Sequence, residues 1–392
     1  MGSIADVVGG STPQTDVSEF WNGDIPWITP NDLSGYEAKQ IDHGERFISK
    51  AGYASCSTRL VPKGTVLFSS RAPIGYVAIA SAPVCTNQGF KSFVPSDRVS
   101  SDYLFWYLKY SIERIREMAS GTTFREISGK VAKSIPVVLA PMSDQHRIVE
   151  AIEEQFSRID AGIESLQRAK RNLKRLRAAA VQSMFDARWP MVPLGKVTEV
   201  SGGIQKQPKR RARANAFPYL RVANVLRGKL DLTEVHEMEL FAGELDRYRL
   251  ELGDLLIVEG NGSASQIGRS ARWNGAIENC VHQNHIIRAR PGGALDSKFL
   301  DIYWNSPSLV RRVRLAAAST SGLYTLSTSK IKAIPVPVPS LIEQGRVVAD
   351  IERQFSIIDS MAVTVDAGLA QADALRGAIL ARAFGGTLTR NS

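Results

Sequence analysis

Two long stretches of the chain carry apolar residues at alternating intervals of three and four positions. The intervals average about 3.5 residues over about four heptads, which is typical of a coiled-coil seam rather than of a helix on a globular surface. In the first stretch these positions are Ile152, Phe156, Ile159, Ile163, Leu166, Ala169, Leu173, Leu176 and Ala180. In the second they are Ile351, Phe355, Ile358, Ala362, Val365, Leu369, Ala372, Leu375 and Ile379. The pattern predicts two long helices.

A single apolar seam needs a partner helix to bury it. The obvious partner is the other stretch of the same chain, and the two helices run antiparallel if the halves are related by an approximate two-fold axis. The alternative is that each helix packs only on its own globular half. A seam held for about four heptads is long for that purpose, so the sequence favours an antiparallel coiled coil.

The two halves of the chain repeat each other. IPVV at 135–138 matches IPVP at 334–337, and RAAAVQSMF at 177–185 matches RGAILARAF at 376–384, both with an offset of 199. Upstream, the landmarks keep their order with smaller offsets, as loops of different length would produce. These landmarks are Gly9-Gly10 with Gly202-Gly203, 26–28 with 218–220, and 85–88 with 280–283, where Cys85 aligns with Cys280.

Prolines exclude regular helix directly before both long stretches, and a serine, Ser143 or Ser340, is placed to cap each helix. The predicted division is a first domain at 1–142, a long helix at 143–186, a second domain at 187–341, a long helix at 342–386 and a tail at 387–392.

The parts outside the long helices contain short β-branched and aromatic runs separated by Gly and Pro. Strands are predicted at 64–70, 76–81, 91–95, 253–260, 269–273 and 285–290, and helices at 102–120, 298–305 and 306–318. The predicted fold class is α+β: two mixed α/β domains joined by two long helices, as a pseudo-two-fold internal repeat.

The chain has 392 residues and a net charge of +10 with a pI near 9.5, which favours a polyanionic partner such as nucleic acid. A basic solvated surface is the simpler alternative. Three scattered cysteines fit a reducing cytoplasm, and neither a membrane-spanning run nor a signal peptide is expected.

Motifs for catalysis are missing from the sequence. There is no phosphate-binding glycine loop, no methyltransferase tetrapeptide and no paired CxxC. His282 and His285 are the one close histidine pair, but no further ligands are suitably spaced, so a strand and loop pair is favoured over a metal site. The sequence predicts no catalytic residue, no metal and no cofactor bound by this chain.

Basic residues are concentrated in two places. The segment 202–217, called the basic arm below, has the composition of a flexible loop suited to phosphates. The second cluster lies on the first long helix at 168–177, where a solvated face and a binding face are equally compatible with the sequence. The arm's candidates for DNA contact are Lys206, Lys209, Arg210, Arg211 and Arg213.

Polar side chains suited to base edges stand in the predicted loops. Arg favours guanine, and Asn or Gln favours adenine in the major groove. The candidates in the first half are Ser70, Arg71, Asn87, Gln88, Thr122, Thr123 and Arg125. Those in the second half are Arg221, Asn224, Arg269, Gln283 and Asn284. Each residue type is also common as a loop cap, so the prediction concerns the loops more than single contacts.

The chain resembles the DNA-specificity (S) subunit of bacterial type I restriction-modification systems. The resemblance is carried by WNGDIPWITPNDL at 21–33, SSRAPIG at 69–75, the IPVVLAPMSDQHRIV and IPVPVPSLIEQGRVV segments and the two helix endings. In the second half FPYLRVANV and EGNGSASQIGRSA depart from the pattern. Such divergence is expected if each half reads a different sequence.

The resemblance implies two target-recognition domains that each read one part of a bipartite, asymmetric double-stranded DNA target. It implies that the paired helices set the spacer and dock two methyltransferase subunits, with restriction subunits joining the full complex. S-adenosylmethionine, ATP and Mg²⁺ are then expected on those partners. The helix residues expected to serve coiled-coil contact and docking are Ile152, Phe156, Ile159, Ile163, Leu166, Leu173, Ile351, Phe355, Ile358, Val365, Leu369 and Leu375.

A helix of about 40 residues is roughly 60 Å long, enough to hold two readers on successive turns of DNA. The alternative from another class is a coiled-coil assembly scaffold whose globular domains bind proteins rather than DNA. A self-contained enzyme is disfavoured by the missing motifs.

Overall fold

A computed structural model describes residues 1–120, 125–185, 189–260, 266–317 and 326–385. Residue contacts divide the chain into two units. Unit 1 comprises Met1–Leu166 with Ala367–Ser392, and unit 2 comprises Gln167–Asp366. Each unit therefore contains one globular half, one part of the first long helix and one part of the second.

The globular part of unit 1 combines two sheets with short helices. Its elements are β1 (Ala5–Gly9), β2 (Trp21–Ile28), β3 (Gln40–Ile41), β4 (Arg46–Ile48), α1 (Lys50–Ala54), β5 (Val66–Phe68), β6 (Val77–Ala80), β7 (Cys85–Thr86), β8 (Lys91–Pro95), α2 (Ser101–Glu117) and α3 (Gly129–Ser134). One sheet has the order β1-β8-β5-β6-β3 and the other the order β4-β2-β7. The strands predicted at 64–70, 76–81 and 91–95 and the helix predicted at 102–120 are confirmed.

Both faces of the larger sheet in unit 1 are buried. Val66 and Phe68 belong to a core with residues of α2 such as Leu104, whereas Leu67 points to the other face and packs with Ile28. This follows from the period of two in a strand. All three residues of β5 are apolar because each face is covered.

Unit 2 repeats this arrangement with a longer chain. Its elements are β9 (Met191–Pro193), β10 (Thr198–Gly202), β11 (Ala216–Leu220), β12 (Val225–Leu226), β13 (Lys229–Leu230), β14 (His236–Glu239), α5 (Glu244–Tyr248), β15 (Leu255–Val258), β16 (Ser270–Arg272), β17 (Val281–His282), β18 (Ile286–Pro291), α6 (Ser297–Trp304), α7 (Pro307–Ala317), α8 (Thr328–Ala333) and β19 (Pro335–Pro337). Its main sheets have the orders β10-β18-β15-β16 and β14-β11-β17. The predicted strands and helices of this half are also confirmed.

The core of unit 2 follows the same rule. Leu255 and Ile257 face a cluster that includes Phe299 of α6, and Leu256 faces a second cluster around Trp273. The two long helices are α4 (Met142–Met184) and α9 (Leu341–Phe384), called αL1 and αL2 below, and their ends lie within two residues of the predicted ranges.

The long helices run antiparallel in each unit. In unit 1, Asp160 of αL1 forms an ion pair with Arg376 of αL2, while the later Leu166 packs against the earlier Gly368. In unit 2, the pairs are Lys170 with Asp366 at 2.6 Å and Arg177 with Asp359 at 2.5 Å. The predicted antiparallel pairing is confirmed.

Two members of the predicted seam do not lie in it. Leu176 and Leu375 are 52% and 46% exposed, because the next residue on each helix occupies the seam instead. Arg177 lies 3.7 Å above the ring of Phe355, and Arg376 lies 5.7 Å above the ring of Phe156. A cation over an aromatic face combined with a carboxylate partner explains the replacement.

A buried glutamine joins the start of each long helix to its own globular half. The side chain of Gln145 donates to the carbonyls of Arg98 and Ala140 and accepts from the backbone N–H of Ser100, the residue that caps α2. Gln344 makes the same three bonds, to Ala294, Pro339 and Asp296, and Asp296 caps α6. Both glutamines are fully buried, so their side-chain amides depend on these backbone partners rather than on water.

The serines at the two helix starts differ. Ser340 accepts from the backbone N–H of Glu343 and donates to its carboxylate, so the predicted cap is confirmed. Ser143 is the second residue of αL1 and is not its cap; the N–H groups of Asp144 and Gln145 bond to the carbonyl of Pro141 instead.

The ends of the long helices are held by aromatic side chains. Phe384 at the end of αL2 contacts the rings of Tyr103 and Tyr107 at 5.3 and 5.4 Å. Phe185, just after αL1, contacts Phe299 and Tyr303 at 5.3 and 5.0 Å.

Within the described residues, no helix is both long and apolar enough to cross a membrane.

Candidate nucleic-acid interface

The first predicted amide pair lies where a two-residue strand ends in unit 1. Strand β7 pairs in parallel with β2, matching Trp27 with Cys85, and the N–H of Asn87 donates to the carbonyl of Ile28 at 3.0 Å. The Asn87 side chain accepts from the N–H of Gly89 at 2.9 Å. Gln88 is exposed and accepts from the hydroxyl of Thr12. Gln88 therefore extends to the surface from a fixed turn.

The second amide pair occupies the matching place in unit 2. Strand β17 pairs in parallel with β11, matching Tyr219 with Val281, and the N–H of Gln283 donates to the carbonyl of Leu220 at 2.9 Å. Because Tyr219 corresponds to Trp27, Val281 corresponds to Cys85. The prediction that Cys85 aligns with Cys280 is wrong by one residue.

This corrected register makes the two amide pairs equivalent, Asn87 with Gln283 and Gln88 with Asn284. The side chains of Gln283 and Asn284 form no hydrogen bond to any residue that the structure describes, and both are half-buried. Their amide groups are available to an outside partner.

A glycine in each unit brings the N-terminal strand against the amide pair. A Cβ on Gly10 would lie 2.2 Å from the carbonyl oxygens of Thr86 and Asn87, and one on Gly203 would lie 2.3 Å from that of His282. No larger residue fits so close to another backbone. Gly203 stands near the start of the basic arm, so this contact fixes where the arm begins, beside Gln283.

The loop after β5 brings cations to the same edge of unit 1. Arg71 lies 3.8 Å from the carboxylate of Glu126, and Lys91 lies 3.3 Å from the other oxygen of that carboxylate. Arg125 precedes Glu126 and is exposed. Lys91 and Glu126 could not be identified from the sequence, since their pairing joins segments that are 35 residues apart.

Ser70 is a correction to the predicted set. It is fully buried, and both its N–H and its hydroxyl donate to the carbonyl of Gly89, at 2.7 and 3.1 Å. It holds the loop in place and presents no atom to a ligand. Thr122 and Thr123 lie outside the described residues.

The basic arm in unit 2 is more ordered than predicted. Arg210 forms two parallel bonds of 2.7 Å with the carboxylate of Glu244, and its side chain is only 11% exposed. The hydrogen bond from Arg210 lowers the pKa of Glu244 to about 2. Arg210 is therefore a correction, because a bidentate partner inside the protein already occupies it.

The remaining cations of the arm point outward. Lys206, Lys209, Arg211 and Arg213 are exposed, and the arm borders a cleft of about 670 Å³ together with Tyr219 and His236. Lys209 also lies 5.5 Å from the ring of Phe241. The cleft combines positive charge with aromatic walls.

Three further candidates in unit 2 have structural partners. Arg269 is buried and donates to the carbonyls of Val225 and Val222 at 2.6 and 2.8 Å. Asn224 is buried and donates to two carbonyls at 2.8 Å. Both predictions of DNA contact are corrected, since these polar atoms are used within the domain. Arg221 is half-buried and lies 3.3 Å from Glu234.

Unit 2 has an acidic residue where unit 1 has Ser70. The N–H of Glu259 bonds to the carbonyl of His285, as that of Ser70 bonds to Gly89, and its carboxylate lies 3.5 Å from Nδ1 of His285. From the sequence, His282 and His285 are expected to be a strand and loop pair rather than a metal site. Among the described residues no group of His, Cys, Asp and Glu could hold a metal ion.

His282 is fully buried beneath the amide pair. Its Nδ1 donates to the carbonyl of Ile286 at 2.9 Å, which fixes the neutral tautomer with a bare Nε2. Burial lowers the pKa of His282 to about 4. Burial also raises the pKa of the Cys85 thiol to about 11 and that of Cys280 to about 12, so both are packed thiols rather than nucleophiles.

Comparison with known proteins gives a consistent result. The family model described as "Type I restriction modification DNA specificity domain" matches residues 1–171. The specificity subunit of type I restriction enzyme MjaIX from Methanocaldococcus jannaschii is 34% identical over 249 residues, which is 57% of each chain. The specificity subunit of EcoKI from Escherichia coli K12 is 27% identical over 317 residues, covering 75% of this chain and 67% of that one. The chain spans just over half the length of the first of these relatives.

Solved structures share the fold. One, from a study of complex assembly and conformational transition of the type I R-M system, has a TM-score of 0.76 at 18% identity, over 98% of this chain and 96% of that chain. The HsdS subunit from Thermoanaerobacter tengcongensis has a TM-score of 0.56 at 16% identity, over 98% and 95%. Residues 1–171 therefore match the type I restriction modification DNA specificity domain, and the whole chain has the fold of these solved structures.

Proposed function

We propose that this chain recognises a bipartite, asymmetric double-stranded DNA target and that each unit reads one part of it. One observation carries the proposal. Each unit presents an Asn/Gln pair, Asn87-Gln88 or Gln283-Asn284, at the end of a short strand fixed by the same backbone hydrogen bonds. Side-chain amides can form two hydrogen bonds to adenine in the major groove.

Cations stand beside both amide pairs and would carry affinity rather than sequence choice. In unit 1 these are Arg71, Lys91 and Arg125, and in unit 2 they are the exposed residues of the basic arm. Since the surroundings of the two pairs differ, the two parts of the target differ in sequence. The net charge of +10 supports a polyanionic partner.

The paired helices would set the unread spacer and dock two methyltransferase subunits. Two contacts of the long helices occur once in each unit and are called the helix frame below: the buried glutamines Gln145 and Gln344, and the arginines Arg177 and Arg376 over phenylalanine rings. Two like surfaces suit two like partners. Ile152 and Ile351 of the predicted seam are buried, so docking would use the exposed faces of the helices.

The reactions would take place on the partners. Methyltransferase subunits would bind S-adenosylmethionine, restriction subunits would use ATP and Mg²⁺, and this chain would choose the site. It would act in the cytoplasm, where the DNA is. No residue of this chain is proposed as catalytic.

The test is selection of bound DNA from a randomised duplex library by the purified chain, alone and with its methyltransferase partner. We expect two short conserved blocks separated by a gap of fixed length and random sequence, with affinity that falls steeply as salt rises. One continuous block, or recovery without sequence enrichment, would overturn the proposal. Assembly with protein partners but no DNA retention would favour the scaffold alternative.

A further inference from the structure

A cationic cleft lies in unit 2 where αL1 passes the β12–β13 hairpin, away from the amide pair. Its volume is about 500 Å³, and it also touches α6. The described lining residues include four cations and one acid, namely Lys174, Arg177, Arg227, Lys229 and Asp301. The cleft contains part of the basic cluster at 168–177, whose role the sequence did not decide.

The hairpin that contributes Arg227 and Lys229 is held rigidly. Arg269 bonds to the carbonyl of Val225 in its first strand, and the N–H of Gly228 at its tip donates to the carbonyl of Ser270 at 2.7 Å. The buried Asn224 closes its base. The hairpin thus presents its charges in a fixed position, and little entropy would be lost when they meet a ligand.

The cations of the cleft are only partly neutralised. Arg177 is paired with Asp359 at 2.5 Å and belongs to the helix frame. Neither Lys174 nor Lys229 forms an ion pair with any residue that the structure describes. Burial, and then the charges of Arg314 and Arg269, lower the pKa of Arg227, as expected where positive potential accumulates.

The acid of the cleft is a weak counterion. Burial raises the pKa of Asp301 to about 6, and the charge of Arg272 and a hydrogen bond from Asn305 oppose that rise. Like charges brought together destabilise a fold unless an opposite charge joins them. The arrangement therefore has room and potential for an anion from outside.

Unit 1 shows that the helix frame does not need these charges. The position that corresponds to Lys174 is Asp373, at the offset of 199, whereas Arg177 is repeated as Arg376. The space is also filled in unit 1, because the ring of Trp106 packs on Phe156 at 4.8 Å. In unit 2 the smaller Ile302 stands in the place of Trp106 and lines the open cleft.

The charge continues beyond the cleft along αL1. Arg171 and Arg175 are exposed and lie within one turn of Lys174. A row of cations that runs out of a cleft suits an extended polyanion better than a compact free phosphate or nucleotide.

We infer that this cleft and the adjoining row on αL1 bind backbone phosphates of DNA, outside the part of the target whose bases unit 2 reads. The inference rests on the proposed function and deepens it by adding a second anchor to unit 2. Phosphate contacts fix register without reading sequence, so the anchor would change affinity and leave the motif unchanged.

The test compares two double variants of the full chain with the wild type. K174Q/K229Q removes two charges from the cleft, and K196Q/K332Q removes two exposed charges from unit 2 that do not line it. For each protein, the dissociation constant for a duplex of about 30 base pairs is measured against salt concentration. The slope of log K against log salt changes by about 0.9 for each lost phosphate contact on B-form DNA.

We expect K174Q/K229Q to make the slope shallower by nearly 2, K196Q/K332Q to leave it close to the wild-type value, and the selected motif to stay the same. Equal slopes for the two variants would overturn the inference. Loss of methyltransferase assembly with an unchanged slope would also overturn it, and would assign the cleft to an acidic protein partner. The same holds if free inorganic phosphate weakens DNA binding more than another salt does at equal ionic strength.

The slope can be measured on DNA of any sequence. The inference about the cleft can therefore be refuted while library selection still shows a bipartite motif. Conversely, selection can show no bipartite motif while the slopes of the two variants still differ. Thermal melting of both variants checks that the exposed substitutions leave the fold intact.

Discussion

Units 1 and 2 share a frame but differ at the surfaces that face a ligand. Gln145 and Gln344 make the same three bonds, and the arginine at the seam lies over a phenylalanine in both. Next to the Asn/Gln pair, unit 2 has Glu259 at the position of Ser70 in unit 1. On the proposed function, the repeated contacts would serve assembly and the divergent surfaces would serve recognition.

The difference extends to titratable groups. Unit 1 has Thr86 and Gly89 where unit 2 has His282 and His285, at the same backbone positions. Unit 2 also has the ion pair of Arg210 with Glu244, which orders the basic arm. The stability of unit 2 should therefore depend more strongly on pH than that of unit 1.

The largest expected effect concerns the shared frame. Gln145→Leu and Gln344→Leu each remove three hydrogen bonds to backbone groups, and at roughly 1–1.5 kcal/mol per bond the free energy of unfolding should fall by about 3–4 kcal/mol. The measurement is chemical denaturation, with the exposed glutamine variant Q182L as control. If one glutamine variant lost much stability and the other almost none, the two glutamines would not be structurally equivalent.

A smaller effect is expected from the ion pair that only unit 2 has. Glu244→Gln should lower the free energy of unfolding by about 2–3 kcal/mol at neutral pH, since the pKa of Glu244 is held near 2 in the fold and near 4.5 when unfolded. This stabilisation is present above pH 4.5 and is lost as pH falls toward 2. The exposed variant E237Q is the matched control, and equal stability curves for the two variants would contradict the ordering of the arm.

The smallest effect concerns His282. Its pKa is lowered from 6.5 to about 4, so the neutral form stabilises the fold above pH 6.5 and this contribution is lost as pH falls through that window. At pH 6 the loss should be about 1 kcal/mol relative to pH 7. His282→Thr, which installs the unit 1 residue, should remove this part of the pH dependence of the melting temperature. An unchanged dependence would assign it to other groups.

Much of the fold could be predicted because it is encoded in local periodicity. The seam intervals predict both long helices, the prolines and cap positions place their starts within one residue, and short β-branched and aromatic runs predict the main strands. The exchange of Leu176 for Arg177 in the seam could not be read from hydrophobicity. It depends on Phe355 and Asp359, which lie far along the chain.

The site was predictable as a set of loops but not residue by residue. Asn87, Gln88, Gln283 and Asn284 lie at the expected edges. The amide oxygens of Asn87 and Gln88 accept internal hydrogen bonds, but no described residue accepts from the amide NH2 groups of the four. The polar groups of Ser70, Asn224, Arg210 and Arg269, in contrast, are used within the domain. Residue type alone cannot separate these groups, because the same polar atoms suit a base edge and a backbone carbonyl. The one-residue error at Cys280 arose because the register is set by strand pairing, not by the identity of a buried residue.

The central claim is that each unit reads its own block of DNA, and selection with two variants tests it most directly. N87A/Q88A should relax or change one conserved block of the selected motif, and Q283A/N284A should do so to the other, each with a loss of about 1–3 kcal/mol in discrimination and with the gap unchanged. If either variant altered both blocks, or if neither altered any, the account of two independent readers on a shared frame would be contradicted.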